Sequence, residues 1–396
     1  MLQIPLIEEV KKLGYKVIVS DKNKKCVCYK NADIFFKIDI YDIPKHIETA
    51  KRFEKSKGRI SGVLAAGIDA PETMATLAKK LGLPSVEPKI AHLVNNKEKF
   101  RTKLKKLNYP VPKFKVISKN NLKNLEKIIK DIGFPLIIKS SNSSGSRGTR
   151  IFCDSNLKEI KKTVKLAMYY SRSDLAIVEK CWEGSEHTVE TIFDVNGNFH
   201  PCFITDRNFD KKNGYALEVG LEHPTSLSMK DQKQMYKLAK KVAVDLGIKI
   251  GAAKYDMMLT KNGPRIIEMT CRLSGGFDSQ YLVPAATGKN VLKVAILIAL
   301  GKPFPKNLLI DKKQKVGVTG SIWPKPGKIL NIKGLDKAKK IRGYENIFFR
   351  YSKGDTVVEY VDSTKRVCWI ISIGNTLNEA KKSLDKITNT IQIKTV

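Results

Sequence analysis

The stretch Lys254–Arg272, KYDMMLTKNGPRIIEMTCR, restricts the fold more than any other part of the chain. Two apolar runs flank Thr260-Lys261-Asn262-Gly263-Pro264, a cluster of turn-forming residues, and this predicts a β-hairpin. With Thr260 paired to Pro264 across a three-residue loop, Asp256 lies directly opposite Glu268. Strand alternation then puts Lys254, Asp256 and Met258 on one face with Ile266, Glu268 and Thr270. Tyr255, Met257, Leu259, Ile267 and Met269 face a core. Two carboxylates set opposite each other repel unless something positive lies between them. A hard cation such as Mg²⁺ does so, because it takes carboxylate oxygens together with substrate phosphates. A solvated face with both acids in water is the plainer alternative, and the apolar strand ends argue against it.

The chain has 396 residues, enough for two or three domains and a sizeable core. Hydrophobic content of 42% with 28% charged residues is that of a soluble globular protein. No run approaches the roughly 20 apolar residues that span a bilayer, and Val291–Leu300 is short and interrupted by Lys293. No membrane association is expected, and the start lacks signal-peptide regions, so the expected compartment is the cytoplasm. Seven cysteines, an odd number with only Cys26 and Cys28 close together, read as free thiols of a reducing compartment. The net charge is +34, which raises nucleic acid as a partner. The lysines are spread over nearly every segment, however, with no basic arm and no aromatic-interleaved basic motif. A lysine-rich background is the favoured reading over nucleic-acid binding.

Along the chain, helices are expected at Leu6–Leu13, Pro44–Lys57 and Pro71–Leu81, with strands at Lys16–Ser20, Asp33–Ile38 and Ile60–Ala66. This alternation argues a doubly wound parallel unit that lacks an opening strand and glycine turn. Asn95 and Glu98 have capping-box spacing for a helix to Leu107. Leu136–Lys139 is a short strand, followed by the small polar run Ser140–Thr149 and a strand at Arg150–Phe152. Small residues let backbone N–H groups approach phosphate oxygens, although a surface hairpin loop has the same composition. Ala176–Glu179 is a strand entering Cys181-Trp182, and Glu186–Asp194 with Asn198–Ile204 forms a hairpin. Asp206–Pro224 reads as an irregular lid or substrate loop, and Met229–Leu246 as a long helix. From Val316 short strands and turns take over, closed by a helix at Leu377–Ile391.

Lys97 at a helix start, Lys139 before a Gly/Ser loop, Glu179-Lys180-Cys181-Trp182, Glu186, Asp256 with Glu268, and Arg272 follow one another in an order and spacing with a precedent. The chain resembles the ATP-grasp superfamily of carboxylate–amine and carboxylate–thiol ligases, with biotin carboxylase-like and amino-acid ligase-like members. The resemblance implies an α/β and α+β fold: an N-terminal Rossmann-like pre-ATP-grasp domain (1–93), an ATP-grasp domain of two α+β subdomains with nucleotide between them (94–302), and a small biotin carboxylase-type C-terminal α+β domain (303–396). It implies ATP and Mg²⁺, with Mn²⁺ as a substitute. Lys97 and Lys139 would contact phosphates under a loop containing Ser143, Ser144 and Gly145. Glu179, Lys180 and Trp182 would hold the adenine, mostly through backbone groups, and Glu186 the ribose hydroxyls. Asp256 and Glu268, joined by Thr270 where relatives often carry Asn, would hold the metal. Arg272 and the Gly275-Gly276 backbone would bind the acyl group, with Lys139 and Arg272 neutralising charge during reaction. The implied function is an ATP-dependent ligase joining small-molecule carboxylate and amine through an acylphosphate, in an enzyme able to form a homodimer. The alternatives weighed are a carboxylase using carboxyphosphate, a nucleotide-binding regulator without turnover, and a nucleic-acid binder resting on charge alone.

Overall fold

The computed structural model describes residues 1–210 and 214–396. The first 95 residues carry helices α1 (Ile4–Lys12), α2 (Ile43–Lys57), α3 (Pro71–Lys80) and α4 (Pro88–Asn95). Strands β1 (Ile18–Ser20) and β2 (Ile34–Phe36) pair in parallel. The third strand expected at Ile60–Ala66 does not extend this sheet. That stretch forms no strand; among the described residues its one bridge, Ala66 to Leu273, runs to the chain just after β11. The apolar residues there bury against neighbouring elements rather than against a strand partner, which hydrophobic patterning cannot distinguish.

Helix α5 (Lys97–Lys106) leads into a four-stranded antiparallel sheet of order β3-β6-β4-β5, built from β3 (Phe114–Ile117), β4 (Leu136–Ser140), β5 (Arg150–Phe152) and β6 (Ala176–Lys180). Helices α6 (Leu125–Ile132) and α7 (Leu157–Tyr170) cover one face, and Ile117, Leu136, Ile138, Ile160, Val164 and Val178 form its core. Asn95 does not cap α5. Asn96 is the residue before the helix, its side chain donates to the His92 carbonyl, and Glu98 accepts from the Ser141 hydroxyl instead. The expected capping box does not form, because Asn95 is the last residue of α4 and Glu98 is drawn toward the loop after β4.

The large sheet is antiparallel and eight-stranded. Its strands are β7 (Ser185–Phe193), β8 (Phe199–Asp210), β9 (Leu217–His223), β10 (Gly251–Thr260), β11 (Gly263–Thr270), β12 (Val316–Gly320), β14 (Tyr344–Phe349) and β16 (Cys368–Gly374), in the order β11-β10-β7-β8-β9-β12-β16-β14. Between them in sequence, β13 (Gly327–Lys333) and β15 (Thr356–Val357) join the final strand β17 (Gln392–Thr395) in a three-stranded sheet. The stretch expected to be an irregular loop, Asp206–Pro224, is the end of β8 and the whole of β9. Residues 211–213 of it lie outside the described residues. Polar side chains such as Arg207, Asn208, Glu218 and Glu222 disguised these strands, because they pair with one another across the sheet instead of marking solvent. Helix α8 (Met229–Leu246) packs Met235, Ala239, Val242 and Ala243 against Val189, Tyr255, Met257 and Met269. Tyr255 is fully buried, and its hydroxyl donates to the Ala239 carbonyl at 3.0 Å, so the core accepts this polar atom without an unmet group. Among the described residues no helix is long and apolar enough to cross a membrane.

Candidate active site

The β10–β11 hairpin brings Asp256 opposite Glu268, by a route that differs from the expected one. Thr260 pairs with Gly263, not Pro264, so the register starts one residue out. A bulge between Asp256 and Met257 on one side and Ile266 and Glu268 on the other absorbs Ile267 and restores it. In consequence Ile266, at 4% exposure, takes the core position expected of Ile267. Arg101 of α5 holds the bulge open, donating to the carbonyls of Ile266 (3.4 Å) and Ile267.

Arg101 is also one end of a buried chain of charges. Its Nε donates to Glu179 Oε1 at 2.6 Å, and Lys139 Nζ donates to Glu179 Oε2 at 2.8 Å. Burial raises the Glu179 carboxyl, but Arg101 and Lys139 overcome it and hold the group at about 2. A carboxyl depressed in the folded state stabilises the fold above its unfolded value of 4.5, and this contribution is lost as pH falls from there toward 2. The urea midpoint is therefore expected to drop between pH 5 and pH 3 more steeply in the native chain than in Glu179→Gln; equal slopes would refute it.

Lys97 is buried and ties the glycine-rich loop to the metal-type pair. Its backbone N–H donates to Ser141 O at 2.8 Å, its Nζ donates to Ser143 O at 2.9 Å, and Nζ lies 3.3 Å from Glu268 Oε1. The loop is docked on both sides. The Ser144 N–H and Arg147 donate to Asp69 at 3.1 and 2.9 Å, and the Ser363 N–H donates to the Gly145 carbonyl at 3.0 Å. Gly148 has φ +68°, and a methyl group there would come within 2.8 Å of Ala167 Cα, so the loop can return to β5 only through glycine.

Asp256 faces a second cluster. Arg207 Nη1 lies 2.9 Å from Asp256 and 3.5 Å from Glu186, while its Nη2 is 2.8 Å from Glu218. Lys254 also donates to Asp256. Burial raises the Asp256 carboxyl, and Arg207 and Lys254 outweigh it, bringing it to about 2. Glu186 is raised, first by burial and then by the charge of Asp256, against the pull of Arg207. Beyond β11, the Arg272 Nη1 donates to the Leu273 carbonyl at 2.8 Å, and its buried Nε has no partner among the described residues. The Ser274 N–H donates to buried Glu190 at 2.8 Å, and Glu190 is raised to about 7, chiefly by burial. Gly275 packs on Gly67, where a methyl would meet the Gly275 Cα at 3.0 Å.

The candidates thus fall into three neighbouring groups: Lys97, Lys139, Ser143, Glu179 and Glu268; Glu186 and Asp256; and Arg272 with Gly275 and Gly276. Ser144 and Gly145 lie in the docked loop. Thr270 pairs with Lys254 across the hairpin, next to the acids. Lys180 is turned away, its ammonium donating to the Phe134 carbonyl, and half-buried Trp182 follows it in the linker. Asp256 and Glu268 supply oxygen donors from adjacent strands, and no third His, Cys, Asp or Glu joins them among the described residues. That donor set fits Mg²⁺, which keeps waters and completes its shell with phosphate oxygens. No motif singles out Arg101, Arg207, Glu190 or Glu218. Arg101 alone carries a signal, its place in sequence between Phe100 and Leu104, both 1% exposed.

A four-stranded sheet carrying a glycine-rich loop, set against a larger antiparallel sheet carrying opposed acids, is the ATP-grasp fold. The chain belongs to the family of the carbamoyl-phosphate synthase L chain, ATP binding domain, whose model matches residues 96–307, more than half its length. The L-amino acid ligase C-terminal domain 2 model matches residues 322–396. Formate-dependent phosphoribosylglycinamide formyltransferase from Saccharolobus solfataricus is 23% identical over 394 residues, spanning 98% of this chain and 93% of its own. L-amino acid ligase from Bacillus licheniformis superimposes with a TM-score of 0.81 at 19% identity, covering 99% of this chain and 95% of that one. The biotin carboxylase domain dimer of Hydrogenobacter thermophilus 2-oxoglutarate carboxylase, solved with MgADP, ADP and bicarbonate, has a TM-score of 0.73 at 19% identity, covering 100% and 89%.

Proposed function

We propose that the chain is an ADP-forming ligase that joins a carboxylate to an amine. The carboxylate attacks the γ-phosphorus of ATP, giving an acylphosphate and ADP; the amine then displaces phosphate and loses a proton. The observation that carries this reading is the pair Asp256 and Glu268, opposed on adjacent strands with Lys97 3.3 Å from Glu268. Mg²⁺ or Mn²⁺, held by these two acids with Thr270 adjacent, would supply charge neutralisation at the phosphates. Lys97 and Lys139 act as point charges for phosphate. Lys139 exchanges its bond to Glu179 for one to phosphate at little cost, since Arg101 continues to hold that carboxylate. The docked loop from Ser143 to Gly145 excludes water from the acylphosphate. The linker at Glu179, Lys180 and Trp182 offers backbone groups to adenine, and Glu186 accepts from the ribose once Arg207 lies behind it. Arg272, with a free Nε beside the Gly275-Gly276 turn, receives the acyl carboxylate. Two points in the relatives agree with the reading: the matched families are named for ligases and synthases, and one structural neighbour was solved with MgADP.

The deciding experiment is an ADP-release screen over carboxylates and amines, with products read by mass spectrometry. ADP release that requires both a carboxylate and an amine supports the ligase; release with bicarbonate alone supports a carboxylase and overturns it. In the same assay, Arg272→Ala is expected to raise KM for the carboxylate about tenfold or more, with a much smaller change for ATP. Equal losses for both substrates would remove Arg272 from the acyl site.

A further inference from the structure

We propose that Ser185, His187 and Asp206 form a Ser–His–Asp relay on the face of the large sheet opposite Glu186, and that Ser185 is the nucleophile of a second, ATP-independent activity, the hydrolysis of activated carboxylic esters. The relay lies outside the acid cleft, and the inference does not rest on the ligase reading.

Ser185 and His187 stand two residues apart on β7, so their side chains share a face, while Glu186 between them turns to Arg207 and the acids. Ser185 Oγ lies 2.7 Å from His187 Nε2, and His187 Nδ1 lies 2.7 Å from Asp206 Oδ1. His187 and Asp206 are register partners across β7 and β8. The segment before α8 fixes the carboxylate from behind: the Thr225 hydroxyl donates to Oδ1, and the Ser226 N–H donates to Oδ2 at 2.7 Å. Burial raises the Asp206 carboxyl, and His187, Ser226 and Thr225 outweigh it, holding it at about 2. Asp206 is therefore an acceptor only. In the neutral ring, Nδ1 then carries the proton and Nε2 is bare. The hydrogen between Ser185 and Nε2 must come from the hydroxyl, so Ser185 donates. That is the direction in which a base draws the proton from a nucleophile.

His187 is 1% and Asp206 9% exposed, whereas Ser185 is exposed at the start of the strand. The ring is held rigidly and the hydroxyl faces solvent. Gly184 sets that position. Its φ is +155°, and a methyl there would overlap the Leu259 carbonyl oxygen, so the chain enters β7 pressed against β10. The other four histidines each lack a member of the set. His46 meets Ser20 at 2.8 Å, but its Nδ1 faces the Asp42 backbone carbonyl. His92 and His200 meet Glu72 and Asp194, with no serine hydroxyl bonded to either ring among the described residues. His223 meets the Ile204 carbonyl.

In the first half of the reaction Ser185 Oγ attacks the ester carbonyl carbon and its proton passes to His187 Nε2. The C–O bond to the alcohol then breaks, the alcohol leaves with that proton, and the acyl group remains as an ester on Ser185. In the second half water gives a proton to Nε2 and attacks the acyl carbon. The bond to Oγ breaks, Oγ takes the proton back, and the carboxylic acid leaves. Asp206 balances the imidazolium formed in each half and is a positioning residue.

The test uses the full chain without ATP or Mg²⁺. A fluorophosphonate probe is expected to modify Ser185: the Oγ–P bond forms, the P–F bond breaks, and fluoride and the hydroxyl proton leave. Peptide mass spectrometry locates the adduct. Steady-state release of p-nitrophenolate from p-nitrophenyl acetate is expected to be about tenfold or more faster in the native chain than in Ser185→Ala. Because Ser185 is exposed, that variant is expected to keep the native urea midpoint and ADP release. In Asp206→Asn the amide donates to Nδ1 and moves the ring proton to Nε2. Phosphonylation is expected to slow about 100-fold there, and the ¹⁵N signals of the His187 ring are expected to exchange their protonated and bare assignments. No adduct on Ser185 in the native chain, or ester turnover equal to that of Ser185→Ala, overturns the activity. Phosphonylation as fast in Asp206→Asn as in the native chain, or a native ring protonated on Nε2, overturns the relay and leaves Ser185 an accessible hydroxyl only. The ligase reading is judged separately, since none of these outcomes depends on ATP.

Discussion

Replacing Glu268 by Gln is expected to cut Mg²⁺-dependent ADP release about 100-fold, equivalent to nearly 3 kcal/mol of transition-state stabilisation. The amide has the size of the carboxylate and keeps β11 intact, but it removes one of the two acids that, among the described residues, face each other across the hairpin. The Glu268 side chain is 36% exposed, and among the described residues its ion-pair partner is Lys97 at 3.3 Å. Losing that partly exposed ion pair changes stability by about 1 kcal/mol at most. The loss should therefore appear in turnover and in the Mg²⁺ concentration dependence, with the urea midpoint nearly unmoved. Native rates in Glu268→Gln at every Mg²⁺ concentration would dismiss the metal assignment and, with it, the acid pair as the centre of the reaction.

Arg101→Met is expected to remove about 3–5 kcal/mol from the unfolding free energy. The side chain is 2% exposed and meets three acceptors at once: Glu179 and the carbonyls of Ile266 and Ile267. Methionine fills the space beside Phe100 and Leu104 but leaves Glu179 buried with Lys139 alone. It also frees the bulge on which the Asp256–Glu268 register depends, so ADP release should fall together with stability. Adding Glu179→Gln to Arg101→Met should recover part of the stability, because the buried charge then disappears with its partner. A loss below about 1 kcal/mol in the single variant, measured by urea unfolding, would mean that the pair contributes little.

The two sequence-based expectations that met the structure most directly were the hairpin and the loop after β4. Asp256 faces Glu268 because turn residues and apolar alternation restrict where strands can end and which side they bury. The details behind that pairing were not legible. A two-residue turn and a bulge shift the register in opposite directions, and a bulge has no marker here beyond an ordinary Ile267. The segment Asp206–Pro224 was misread for a related reason. Its charges suggest solvent until Arg207 is seen to meet Glu186, Glu218 and Asp256, three acids on three other strands.

Alone, the order of residues determined most of the helices, the hairpin with its opposed acids, the small-residue loop and the resemblance that led to ATP-grasp chemistry. These depend on local backbone preferences and on periodicities of two and 3.6, which a linear string carries. Only the tertiary structure decided that Arg101 links the two sheets, that Arg207 gathers the acids, and that Asp69 and Ser363 dock the glycine-rich loop. Those contacts join residues from about 10 to about 220 positions apart; charge pairing of this kind leaves no period in sequence, because a buried ion needs only a partner in space.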